Sequence, residues 1–204
     1  MKPDKILFID TETGGLDPFV NSLLSIAFVV WQNFNIIDTK EIFINDGILN
    51  VTSQALEING IDIVNHSNIS VTPEIAINQI ESFLELHFEK DEKITLGGHN
   101  INFDVNFFKH FLSKNHYTYH KRFSHRIVDT ATILYYLYLG GKIKQKTISS
   151  TEAFNIFGIV VNKRHSAIGD AIATAELFTI LLRIISNNAK VKNSIPIDLP
   201  KLFK

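Results

Sequence analysis

Apolar positions along the chain fall into two patterns. Short runs rich in β-branched and aromatic residues read as strands: residues 5–10, ending in acids, then 23–31 and 36–44 around a turn-like 32–35, and later 93–98. The second and third predict an antiparallel meander. Apolar residues at helical spacing mark the other class. Residues 73–88 carry Ile75, Ile77, Ile80, Phe83 and Leu84 behind Pro73, which suits a first turn. Residues 52–58, 101–113, 147–157 and 167–185 read as further helices, and a helix capped by Asp129 runs to Leu139, where Gly140 and Gly141 stop it. Ile127 and Val128 lead into that cap. Strands come first and helix–strand alternation follows, which predicts an α/β fold with a mixed sheet and helices on both faces.

With 204 residues, the chain suits one domain, residues 1–186, followed by a Pro-containing tail, residues 187–204. Cysteine is absent, which excludes a disulfide framework and a thiolate metal site. Any metal must take oxygen or imidazole ligands, and that favours hard cations such as Mg²⁺ or Mn²⁺. The apolar run 6–9 is too short for a signal peptide and no segment has the length of a membrane span, so a cytoplasmic protein is expected. The net charge of −1 hides an asymmetry: residues 109–146 hold eight Lys or Arg against one acid, Asp129. This stretch reads equally as a solvated face or a phosphate-facing surface.

Three clusters carry candidate chemistry. The first, Asp10-Thr11-Glu12-Thr13-Gly14-Gly15-Leu16, closes the first strand. Alternation sends Asp10 and Glu12 to one side, where two carboxylates repel unless a cation lies between them. The glycines would let a ligand approach the backbone. The second, His99-Asn100-Ile101-Asn102-Phe103-Asp104, spans a strand-to-helix junction, and an acid near a helix start is favourable in its own right. The third, His165-Ser166-Ala167-Ile168-Gly169-Asp170, opens the last helix. Five residues apart, His165 and Asp170 do not share a helix face, so His165 belongs to the preceding loop. Singly, each cluster also reads as exposed acids, caps or turns. Asp129 reads as a cap and not as a metal ligand.

Taken together and in this order, FIDTETGGLDP, HNINFD and HSAIGDA closely resemble the motifs of the DEDDh exonucleases of the ribonuclease H-like fold, over about residues 5–185. One departure is visible: Gly14 stands where many members carry a second Thr. The resemblance implies a mixed five-stranded sheet flanked by helices. It implies a metal-dependent 3′–5′ exonuclease that releases nucleoside monophosphates from DNA or RNA. It further implies two Mg²⁺ (or Mn²⁺) held by Asp10, Glu12, Asp104 and Asp170, with Asp10 bridging both, and His165 as general base. Thr13, Gly14, Leu16, His99, Asn100 and Phe103 are the residues it assigns to the 3′-terminal nucleotide. Phe103 reads equally as a core residue.

The expected partners are single-stranded or frayed 3′ ends and a separate polymerase or clamp, with no membrane. Two rival readings are a non-catalytic nucleic-acid-binding domain on the same fold and a small-molecule metallohydrolase. The tail ends in Leu202-Phe203. This pair reads as packing back onto the domain in preference to a clamp-docking peptide, whose Gln is replaced by Leu199.

Overall fold

The computed structural model describes residues 4–146, 149–161 and 166–186. Five strands form one sheet: β1 (Lys5–Thr13), β2 (Leu23–Gln32), β3 (Asn35–Phe43), β4 (Ile94–Gly98) and β5 (Phe123–Asp129), in the order β3-β2-β1-β4-β5. The meander β1-β2-β3 is antiparallel, and β4 and β5 run parallel to β1. Seven α-helices lie among the described residues: α1 (Ser53–Asn59), α2 (Ile63–Ile69), α3 (Pro73–His87), α4 (Asn102–Lys114), α5 (Thr130–Leu139), α6 (Ser150–Ile156) and α7 (Ala167–Ile185).

Side-chain alternation on β1 organises the core. Leu7 and Ile9 face α3 and α4, where they join Ile80, Phe83, Leu84, Val105 and Phe108. Phe8 faces the other way, onto α7. There Ala167, Ala171 and Ala175, one stripe at a spacing of four, are wholly buried and let the helix lie close on Ala27 and Val29. Farther along, Phe178 meets Trp31 edge-on at 5.0 Å, and the indole N–H donates to Thr179 Oγ1 at 2.8 Å. Covered on both faces, β2 is buried along nearly its whole length. A further apolar cluster joins α5, α6 and α7 through Leu134, Phe154, Phe157 and Leu177.

Most of these elements lie where the apolar pattern puts them, with four differences. The first strand continues past residue 10 to Thr13, so Asp10 and Glu12 are strand residues. Helix α2 has no counterpart in the sequence reading; Asp62 caps it, accepting from the N–H groups of Val64 and Asn65. Strand β5 likewise has no counterpart among the apolar runs: Ile127 and Val128, read only as leading into the Asp129 cap, are its last apolar residues, and Ser124, His125 and Arg126 before them lie on an outer strand of the sheet, two of them exposed. The segment 147–157 is represented by the shorter α6, capped by the Ser149 hydroxyl. The tail, residues 187–204, lies outside the described residues, as does the expectation about Leu202-Phe203.

The chain leaves β1 towards one side of the sheet and returns as β4 on the other. That reversal opens a crevice at the C-terminal ends of the parallel strands, the usual place for a ligand in an open α/β sheet. Polar residues stand at the ends of all three: Asp10 and Glu12 on β1, His99 just after β4, and Asp129 on β5.

Candidate active site

Asp10 and Glu12 project from β1 to the α7 face, opposite Ala27 and Ser25 on β2. Helix α7 begins just beyond them. Ser166 caps it, its hydroxyl accepting from Gly169 N–H at 3.2 Å, and this places Asp170 in the first turn, where the helix dipole favours an acid. Carboxylate oxygens of Asp10, Glu12 and Asp170 all lie within 4.8 Å of one another, and all three residues are half-buried. Three like charges so close, partly shielded from water, favour a cation among them. The donor set is all oxygen, which suits Mg²⁺ or Mn²⁺. A pocket of about 280 Å³ adjoins Glu12 and is lined also by Ser25, Glu41, Asn59 and His66.

Asp104 is not part of this cluster. It sits in the first turn of α4 on the other side of β1, buried, and its Oδ1 accepts from both the backbone N–H of Thr11 at 2.9 Å and the Thr11 hydroxyl at 2.7 Å. Burial pushes its carboxyl up to about 7; the Thr11 hydrogen bonds oppose the shift, and the charge of Asp129 adds to it. Both bonds fall on one oxygen, so Oδ2 faces a different environment. Thr11 is a site residue the sequence reading did not single out. Alternation says only that it points away from Asp10, and nothing in the sequence links it to a residue 93 positions later.

The six residues assigned to the terminal nucleotide fall into three situations. Thr13 and Gly14 are bound up within the protein: the Thr13 hydroxyl donates to Gly15 C=O, Asn59 Nδ2 donates to Thr13 C=O, Gly14 N–H donates to Ser22 C=O, and Gly14 C=O accepts from Thr52 N–H. The glycine at 14 also has a packing reason. A Cβ there would lie 2.1 Å from the Asn50 carbonyl oxygen, so its bareness admits the 50–51 segment where the sequence suggested ligand approach. Leu16 and Phe103 are open. Leu16 is 85% exposed on the loop after β1, and Phe103 is 37% exposed with its ring 5.0 Å from Phe107, so it is both packed and accessible. His99 and Asn100 form a bent connection between β4 and α4. Asn100 has a φ of 56°, unusual without a glycine. Burial lowers the His99 pKa, with the charge of Asp129 opposing.

Asp129 caps α5 as the sequence predicts, accepting from Ala131 N–H at 3.0 Å, and it also accepts from Asn100 N–H at 2.9 Å. His165 lies outside the described residues.

The exonuclease family model RNase_T matches residues 7–178. Ribonuclease T of Wigglesworthia glossinidia brevipalpis is 33% identical over 187 residues, covering 83% of this chain and 80% of that protein. A PolC-type DNA polymerase III of Caldanaerobacter subterraneus subsp. tengcongensis is 30% identical over 178 residues; the match covers 87% of this chain but 12% of that protein. In three dimensions, E. coli exonuclease I in complex with a dT13 oligonucleotide matches with a TM-score of 0.73 at 17% identity, over 90% of this chain and 42% of its own. That last likeness concerns the fold, and the fold is ribonuclease H-like. The chain belongs to the RNase_T exonuclease family and is a 3′–5′ exonuclease of the DEDDh type. The family is divalent-metal dependent, and the acidic cluster is in keeping with that. No helix among the described residues is long and apolar enough to cross a membrane.

Proposed function

We propose that this exonuclease hydrolyses the terminal phosphodiester of single-stranded or frayed 3′ ends, of DNA and of RNA, and releases nucleoside monophosphates. The observation that carries the reading is the convergence of Asp10, Glu12 and Asp170 from β1 and α7, with Asp104 buried on the other side of the same strand. Asp10, Glu12 and Asp170 would hold one divalent cation, and Asp10 with Asp104 a second. Two such ions, when bound, supply activation of the attacking water and neutralisation of charge on the phosphate. His165 takes the proton from that water. Its sequence position, one residue before the Ser166 cap, and its place in the HSAIGDA motif support this role, and an imidazole accepts a proton at neutral pH. Leu16 and Phe103 offer apolar surface to the terminal base, which suits tolerance of any base sequence.

The substrate range draws on two relatives, a ribonuclease T and an exonuclease I solved with a DNA oligonucleotide. The partial match to a polymerase makes a separate polymerase a candidate partner. The test uses single-stranded DNA, duplex DNA and RNA, each labelled at the 5′ end, with Mg²⁺, with Mn²⁺ and with chelator. A descending ladder that requires metal is expected. Early release of the 5′ label, or cleavage undiminished by chelator, refutes the reading. His165→Ala is expected to slow turnover by about 10²–10⁴-fold with substrate binding retained; near-normal turnover removes His165 as the base.

A further inference from the structure

The fold sorts the basic stretch at residues 109–146 into two groups. Lys109 and Lys121 lie over the rings of Tyr119 and Tyr117, at 4.7 and 5.9 Å. Lys114 pairs with Asp46 at 3.0 Å, and Arg122 is buried, its Nη1 donating to Lys90 C=O at 3.1 Å. These four are taken up by contacts within the protein. The others, Arg126, Lys142, Lys144 and Lys146, are exposed and form no ion pair with an acid among the described residues.

Three of this second group stand on the loop that leaves α5. Gly141 takes a φ of 66°, which favours glycine, and Lys142 N–H donates back to Leu137 C=O at 2.9 Å. Ile143 is buried with Leu134 and Leu137. Anchored by Ile143, the loop shows Lys142 and Lys144 to solvent on either side of it, and Lys146 returns over the ring of Tyr135 at 5.4 Å. The neighbouring face of α5 exposes Tyr135 and Tyr136, the latter by 70%. No Asp or Glu occurs from Thr130 to Thr151. Solvation accounts for the lysines but not for two exposed rings among them. Cations interleaved with rings suit a single strand, whose phosphates meet the charges and whose bases stack.

The site itself calls for such a surface. Asp10, Glu12 and Asp170 converge where a polyanion must arrive, and the net charge of the chain is −1. Attraction for the body of the strand therefore has to come from outside the crevice. Helix α5 joins the two places. Its cap, Asp129, accepts from Asn100 N–H beside the crevice, and its ten residues extend about 15 Å to the lysine loop.

We propose that the outer face of α5 and the loop 140–146 form a track for single-stranded nucleic acid. Lys142, Lys144 and Lys146 take phosphates, and Tyr136 stacks on a base, in the part of the strand that lies outside the crevice. The inference rests on the exonuclease reading of the site and adds that affinity grows with strand length.

The experiment compares a single strand of about twenty nucleotides, longer than a typical binding site for one small domain, with a dinucleotide, both with Mg²⁺. The triple variant Lys142→Gln, Lys144→Gln, Lys146→Gln should raise KM on the long strand by about tenfold or more with kcat unchanged, and arginine at the same three positions should restore it. The dependence of log KM on log salt should flatten by about 0.7 for each lysine removed. Tyr136→Ala should raise KM on the long strand by about fivefold or more without changing the salt dependence. On the dinucleotide, which occupies the crevice alone, variants and wild type should not differ. A long-strand KM and salt dependence unchanged in the triple variant overturn the proposal, and so does an equal defect on both substrates. Retention on phosphatidylglycerol vesicles that the triple variant loses, with strand kinetics unchanged, overturns it in favour of a lipid surface. A wild type that cleaves neither substrate overturns the reading of the site instead, and binding of the long strand in chelator, weakened in the triple variant or not, then decides the track separately.

Discussion

The two sides of β1 handle the same functional group in different ways. On the α7 side, three carboxylates crowd one half-buried place and face one another. On the α4 side, one carboxylate is buried and braced by both donors of Thr11. Coulomb repulsion dominates the first environment, and a cation relieves it. Desolvation dominates the second, and it raises the Asp104 carboxyl to about 7. A cation bound between the two sides would release a proton on one and neutralise charge on the other.

The largest effect should come from the crowded side. Asp10→Asn keeps the shape of the residue and removes one of three converging charges. Hydrolysis should fall by about 10³-fold or more, the loss of several kcal/mol of charge stabilisation, while the melting temperature in chelator rises because repulsion is relieved. Retention of near wild-type activity would remove Asp10 from the site.

The braced side predicts a pH signature. The folded-state pKa of Asp104 lies at about 7, above the usual 3.8, so the folded protein holds a proton that the unfolded chain has already released between those values. Stability in metal-free buffer should fall as pH rises through that window and level off above about 7. Asp104→Asn should lack this fall and be the more stable protein at pH 8 in chelator. Urea melts of both proteins at several pH values check this, and parallel curves would break the contrast between the two sides.

Thr11→Val sharpens the same contrast with a smaller effect. Removing the hydroxyl takes away one of the two bonds that hold the Asp104 pKa down, so the pKa should rise further. Stability should drop by about 1 kcal/mol, and more Mg²⁺ should be needed for half-maximal activity. An unchanged Mg²⁺ requirement would show that Asp104 does not serve the metal. The smallest effect is expected for Leu16→Ala. The side chain is 85% exposed, so melting should not change, while KM rises a few-fold through lost contact with the terminal base. A lowered melting temperature would show that Leu16 packs within the protein.

Much of this was legible in the sequence because it follows from periodicity. The strand alternation that puts Asp10 and Glu12 on one face also sends Leu7 and Ile9 to the other, and the helix read at 167–185 is α7. The parts that were not legible depend on contacts between distant segments. The partnership of Thr11 with Asp104 and that of Thr130 with His99 span 93 and 31 residues. The reason for Gly14 lies in Asn50 and not in a ligand. Helix α2 was missed because it is seven residues long and leaves Val64 and Ile69 exposed, so it carries no apolar stripe. Strand β5 was missed because Ser124, His125 and Arg126 lack the alternation that a half-buried strand shows.

The single tryptophan gives the molecule a built-in optical reporter. Trp31 is nearly buried, stacks edge-on against Phe178 and donates its N–H to Thr179, both on the helix whose first turn carries Asp170. Its emission therefore reads how α7 is seated on the sheet and is not mixed with signals from other indoles. A titration of divalent cation followed by fluorescence tells whether closing the carboxylate cluster shifts that helix. Loss of the Thr179 contact during denaturation dates the undocking of α7 relative to the collapse of the whole fold.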